Sequence, residues 1–232
     1  MFILALLLPA ATVFGQCEEG FVPIFNGENL DGWAGLPALW SVQDGCIVGE
    51  TANEGEKKIH GNTFLIWQGD DQGPDVGNFV VRFDYRLSRD GNSGMQYRSW
   101  EPENNPNFSV SGYQADFDGV NNYSGILYGE GYRGILCGRG QKTVVEEGGQ
   151  PKVVETFGDN EALKQKINVE DWNSYEVIAE GFTFTNKING EVMSICTDED
   201  SVRRATGILA IQIHAGPAMK VEIKNLRLKR NP

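Results

Sequence analysis

Histidine is scarce in this chain of 232 residues, which contains only His60 and His214. Cysteine is hardly more frequent: Cys17, Cys46, Cys137 and Cys196 lie far apart and none belongs to a C-x-x-C arrangement. A structural zinc site wants four such ligands at short spacings, so this composition argues against one. Positive charge is short as well, with 20 Lys and Arg against 32 Asp and Glu and a formal net charge of -12. A nucleic-acid binder would carry a basic footprint, and no such stretch occurs. The nine prolines are scattered and no tract is of low complexity, a composition that suits turns between short strands rather than disorder or long helices. No segment repeats at a solenoid or propeller period. Beyond the N-terminus, no apolar run reaches the ~20 residues that a spanning helix requires.

The N-terminal run, residues 1–15, is apolar but too short to span a bilayer well. Val13 and Gly15 form a small-residue cleavage pattern, so a secretory signal is expected, although its leading end lacks Lys and Arg. The mature chain, residues 16–232, would then be a single exported domain, periplasmic or extracellular. Lipid anchoring at Cys17 is disfavoured, because Gln16 is a poor residue to precede a lipidated cysteine. In an exported protein the four cysteines allow up to two disulfides with three connectivities; buried free thiols account for them equally well.

Glycine is what the chain has in quantity, 29 residues punctuating short alternating runs. In residues 79–87, Phe79, Val81, Phe83, Tyr85 and Leu87 share one face while Arg82, Asp84 and Arg86 share the other. Such alternation specifies a strand that buries one side. Asp44-Gly45 and Asn189-Gly190 sit between such runs and predict tight hairpins. The one helix expected is short, over residues 161–167. More than ten strands without crossover helices imply an all-β antiparallel sandwich of jelly-roll type.

Several motif matches carry no chemistry. Gly129-Glu130-Gly131-Tyr132-Arg133-Gly134 satisfies G-x-G-x-x-G, but no helical period comes after it to receive a pyrophosphate. The acidic runs Asp70-Asp71 and Asp198-Glu199-Asp200 lack calcium-loop spacing and read as solvated loops.

Other strands carry unusual polar residues opposite their apolar ones. Parity places Gln96 with Arg98, Gln114 with Asp116, and Gln212 with His214. Each alone would be an ordinary surface residue. Amides, Arg, Asp and His recurring on successive strands form a hydrogen-bonding surface suited to a polyhydroxylated ligand. His60 lies in a polar loop and reads as surface.

Ordered short motifs then carry a resemblance. They are Phe25-Asn26-Gly27 with Leu30-Asp31-Gly32-Trp33, Asn92-Ser93-Gly94-Met95-Gln96-Tyr97-Arg98, and Gly112-Tyr113-Gln114-Ala115-Asp116. Asp171-Trp172-Asn173-Ser174-Tyr175-Glu176, Ile188-Asn189-Gly190, Gln212-Ile213-His214-Ala215-Gly216 and Lys224-Asn225-Leu226-Arg227 complete the series. Together they resemble the 3-keto-disaccharide hydrolase domain family over residues 21–228. Many relatives have Glu then Gln in the third motif, where this chain has Tyr113 and Gln114, so the acid falls to Asp116. The resemblance implies a concanavalin A-like sandwich with a sugar-binding concave face. It also implies cleavage of 3-keto-glucosides, by 1,2-elimination then hydration. His214 is the expected acid/base and Asp116 a base or orienter. Arg98, Gln114, Gln212, Gln96 and Asn92 are expected to bind substrate. No cofactor is evident, and although a divalent metal can act as Lewis acid in such chemistry, no ligand cluster supports one. Two alternatives stay open: a non-catalytic carbohydrate-binding module, and a glycosidase using two carboxylates, for which Asp84 and Asp116 are the candidates.

Overall fold

The computed structural model describes residues 18–231. The expected signal over residues 1–15 and the anchoring option at Cys17 lie outside them. Its first strands are β1 (Val22–Pro23), β2 (Trp33–Ala34), β3 (Trp40–Gln43), β4 (Cys46–Glu50), β5 (Thr63–Trp67) and β6 (Asn78–Leu87). Then come β7 (Asn92–Trp100), β8 (Ser111–Asp118), β9 (Leu127–Glu130), β10 (Gly134–Cys137), β11 (Gln141–Val145) and β12 (Pro151–Thr156). The last are β13 (Asn173–Glu180), β14 (Thr183–Ile188), β15 (Glu191–Asp198), β16 (Ile208–Ile213) and β17 (Lys220–Asn231).

They form two sheets. The ten-stranded one runs β12-β11-β15-β14-β13-β6-β17-β4-β3, with β1 paired to β17. The seven-stranded one runs β10-β9-β8-β7-β16-β5-β2. Neighbours pair antiparallel except β11 and β15, which run parallel. The architecture is the expected all-β sandwich.

Alternation on β6 works as the sequence implies. Phe79, Val81, Phe83, Tyr85 and Leu87 are all buried, and the residues between them are half-exposed. The core between the sheets is rich in aromatic pairs. Phe83 stacks on Tyr175 and Tyr85 tilts against Phe117, with ring centroids 5.3 and 4.3 Å apart. Asn189 and Gly190 take φ of 52° and 83° between β14 and β15, the paired left-handed conformation of a type I′ hairpin. The helix is shorter than residues 161–167: it covers Asn160–Lys164, and Asp159 caps it by accepting from the Ala162 amide at 2.8 Å. Gly129 to Gly134 run from the end of β9 through a tight turn into β10 and form no phosphate loop, with Gly131 and Gly134 at φ of 70° and 72°. Cys46, Cys137 and Cys196 are buried free thiols, and burial pushes that of Cys196 up to about 12. Among the described residues, no helix is long and apolar enough to cross a membrane.

Candidate active site

The seven-stranded sheet turns Met95, Tyr97, Tyr113, Ala115, Phe117, Ile211 and Ile213 into the core. Residues of the opposite parity therefore face outward. Over part of that outer face, Phe64, Ile66, Val110 and Ala210 make a small apolar cluster with Phe108. The rest opens as a cleft of about 460 Å³, within the range of small-molecule sites. Asn62, Asn92, Gln114, Asp116, Glu130 and His214 form its polar lining. Tyr123, Ile126, Tyr128 and Ile135 form the remainder.

A relay of hydrogen bonds runs beneath the polar side. Ser99 Oγ donates to Gln96 Oε1 at 2.7 Å, and Gln96 Nε2 donates to Gln114 Oε1 at 2.5 Å. Gln114 Nε2 then donates to Asp116 Oδ1 and to Gln212 Oε1, each at 3.2 Å. Gln212 Nε2 donates to Glu130 Oε2 at 3.2 Å, and Asn62 Nδ2 to Glu130 Oε1 at 2.9 Å. The relay thus ends on two carboxyl groups, those of Asp116 and Glu130. Gln96 and Gln212 are fully buried, so they orient Gln114 and Glu130 from below rather than line the opening.

Gly94 makes that arrangement sterically possible. A Cβ there would lie 2.4 Å from Gln114 Cγ and 2.7 Å from its Nε2. Gly94→Ala should displace the Gln114 amide and cost roughly 1–3 kcal/mol by overpacking. A lowered urea midpoint with an unchanged m-value is the expected readout. An unaltered midpoint would show that Gln114 can yield at no cost.

The carboxyl groups differ in setting. Asp116 is 5% exposed, and burial pushes its pKa well above the ordinary carboxylate range; the Asp118 charge adds to this and the Gln114 hydrogen bond opposes it. Asp118 itself accepts from the amides of Asn122, Tyr123 and Ser124 at 3.0, 2.8 and 3.0 Å, pinning the loop that carries Tyr123 to the lip. Glu130 accepts amide hydrogens on both oxygens, from Asn62 and Gln212.

His214 comes directly after β16 and is exposed at the cleft. Its backbone amide donates to Asn92 O at 3.3 Å, and its Nδ1 lies 2.6 Å from Ala215 O. A carbonyl can only accept, so Nδ1 carries the hydrogen and the neutral ring keeps Nε2 bare. Asn92 Oδ1 is buried and has no hydrogen-bond partner.

Arg98 is not at the cleft, contrary to the parity that groups it with Gln96. A bulge interrupts the β7–β8 register between Tyr97 and Trp100, and Arg98 takes a φ of 46°. The extra residue reverses the facing of the strand beyond it. The guanidinium is buried instead, donating to Gly77 O at 2.8 Å and to Arg204 O at 3.2 Å, beside the Phe184 ring. Asp84 is elsewhere too: it lies on β6 of the other sheet and accepts from Asn225 Nδ2 at 2.6 Å, so it cannot partner Asp116. His60 is exposed as expected. Among the described residues, no group of three or more His, Cys, Asp or Glu side chains is placed to hold a metal ion.

Glu130, Asn62 and the apolar lining do not stand out in the sequence. Glu130 sits inside the glycine motif that has no helix after it. Yet Tyr128 and Glu130 alternate with Leu127 and Gly129 as the other outward pairs do, and that alternation is the one local signal of their place.

Comparison with known proteins bears on this cleft. A family model described as the 3-keto-alpha-glucoside-1,2-lyase-like domain matches residues 20–229. A 3-keto-disaccharide hydrolase of Bacteroides thetaiotaomicron is 30% identical over 88 residues, which is 36% of this chain and 29% of that protein. A candidate glycosyl hydrolase from Parabacteroides distasonis superposes with a TM-score of 0.59 at 20% identity, covering 92% of this chain and 95% of the other. A beta-glucanase of Bacillus licheniformis gives 0.53 at 9% identity, covering 91% and 97%. At these identities the two structures share the fold alone. The family match spans nearly every described strand and the entire cleft, and the chain belongs to the 3-keto-alpha-glucoside-1,2-lyase-like domain family.

Proposed function

We propose that the cleft cleaves 3-keto-glucosides by 1,2-elimination and then hydrates the product, for net hydrolysis. The observation that carries this is a poised pair in one cleft. The Ala215 carbonyl engages His214 Nδ1 and leaves Nε2 to accept a proton, and burial favours the protonated form of Asp116. A proton acceptor and a proton-bearing carboxyl facing one cleft are the parts an acid–base site needs.

The 3-keto group makes the C2 hydrogen acidic, a property an unoxidised glucoside lacks. His214 Nε2 takes that proton, and negative charge develops on the C3 oxygen. Asp116, as a neutral carboxylic acid, donates a hydrogen bond to that oxygen, the preorganised stabilisation an enolate needs. The C1–O bond then breaks, and the imidazolium returns its proton to the departing oxygen. Water adds back across the C1–C2 double bond, hydroxyl to C1 and proton to C2. Gln114 and Glu130 orient the sugar, and the unpartnered Asn92 Oδ1 suits a sugar hydroxyl as donor.

A binding-only module would be expected to present a flat aromatic platform. A recessed cleft holding His214 and Asp116 favours the enzyme reading. Mass-spectrometric assay of the purified protein against 3-keto-disaccharides and their unoxidised parents tests it. Turnover of the keto forms alone is the expected result; equal turnover of the parents would point to an ordinary two-carboxylate glycosidase, and binding without turnover to the module.

A further inference from the structure

The cleft changes character across the sheet. Register aligns Gln96 with Gln114, Gln114 with Tyr128, and Tyr128 with Ile135. The row passes from amides at the centre of the sheet to a phenol on β9 and an aliphatic side chain on the edge strand β10. Ile126 lies beside Asp116, whose backbone amide donates to Ile126 O at 3.3 Å. Tyr123 and Ile135 stand at the lip with 47% and 49% of their surface exposed. The acid–base pair is on the polar side, so the ring that loses its C2 proton must sit there. The group attached at C1 then reaches either back to solvent or onto the β9–β10 wall.

We infer that this wall is the leaving-group subsite and that it takes an apolar aglycone, preferably aromatic, rather than a second sugar. The inference rests on the 3-keto-glucoside chemistry proposed above. A sugar leaving group brings several hydroxyls, each of which loses water on entry and needs a partner. Ile126 and Ile135 supply none. An aromatic ring instead covers the exposed apolar surface of Ile135 beside the buried Ile126, and can pack edge or face on Tyr123 and Tyr128. The exposed Tyr123 and Ile135 beside a polar reaction centre are explained if a ligand covers them during turnover.

The test compares leaving groups that are all alcohols, benzyl and methyl being matched in acidity, so that chemistry at C1 does not mask binding in that pair. Benzyl 3-keto-glucoside, methyl 3-keto-glucoside and a 3-keto-disaccharide all release alcohols. The benzyl compound should show the highest kcat/KM, roughly tenfold or more above the disaccharide. Ile135→Asn and Tyr123→Ser should each lower the benzyl-to-methyl ratio of kcat/KM, Ile135→Asn by about tenfold. Thermal melts of both variants check that they are folded. A disaccharide turned over as well as the benzyl compound, or a ratio that neither variant moves, would overturn the inference. Calorimetric Kd values for unoxidised benzyl and methyl glucosides are measured alongside. If no 3-keto-glucoside is turned over but benzyl binds more tightly than methyl, the chemistry fails and the apolar subsite stands. If the two bind alike, the subsite fails whatever the turnover.

Discussion

His214→Ala should lower kcat for a 3-keto-glucoside by about 10²–10⁴-fold, the span expected for losing a general acid–base group. KM should move far less, because the imidazole acts mainly in the transition state. Folding should be unaffected, since the side chain is exposed and its one polar contact is with the adjacent Ala215 carbonyl. That contact carries the prediction: it holds the hydrogen on Nδ1 and leaves Nε2 free to accept. Exchange of the C2 hydrogen with deuterated solvent gives a second readout, and the variant should lose it together with turnover. Wild-type turnover by the variant would remove His214 from the mechanism and make Glu130, the other carboxyl group in the same cleft, the next group to replace.

Asp116 yields the second large effect, and its sign can be worked out. Burial raises its pKa in the folded protein, and the proposed role needs the protonated form. Activity should therefore fall as pH rises through the folded-state pKa of Asp116. Asp116→Ala removes the donor and should cost about 10²–10³-fold in kcat, as loss of one oxyanion donor does. Asp116→Asn keeps an N–H donor that does not titrate. It should retain more activity than the alanine variant, and the alkaline limb due to Asp116 should vanish. Stability obeys the same linkage. A carboxyl with a raised folded pKa stabilises the fold fully below its unfolded value, about 3.9, and that contribution is lost as pH rises through the folded value. Asp116→Asn should accordingly unfold at a higher temperature than the wild type at alkaline pH, with the gap closing toward acid. An alkaline limb that persists in Asp116→Asn would assign it to another group.

Local pattern carries much of the fold. Alternation on β6 and the Asn189-Gly190 turn are enough to imply a sandwich, because burial of one strand face and left-handed turn geometry depend on neighbours in sequence. The same period of two puts Gln114, Asp116, Gln212 and His214 on one side, and they do share one side. Arg98 breaks the rule at a bulge, whose only local trace is a non-glycine residue at φ of 46°, invisible without coordinates.

The amino-acid sequence by itself determined the strands, their turns and the family, since these rest on short-range periodicity and ordered motifs. The tertiary structure alone decided what the polar face can do. Glu130 meets Asn62 across 68 residues of chain. The pKa of Asp116 is raised by the burial that packed strands impose and by the charge of Asp118 two residues on, which the amides of a folded-over loop hold in place. Arg98 is withdrawn into the interior by a register shift between strands. Proton affinity and reach depend on which groups share a low-dielectric space, and folding assembles that space from segments that sequence order keeps apart.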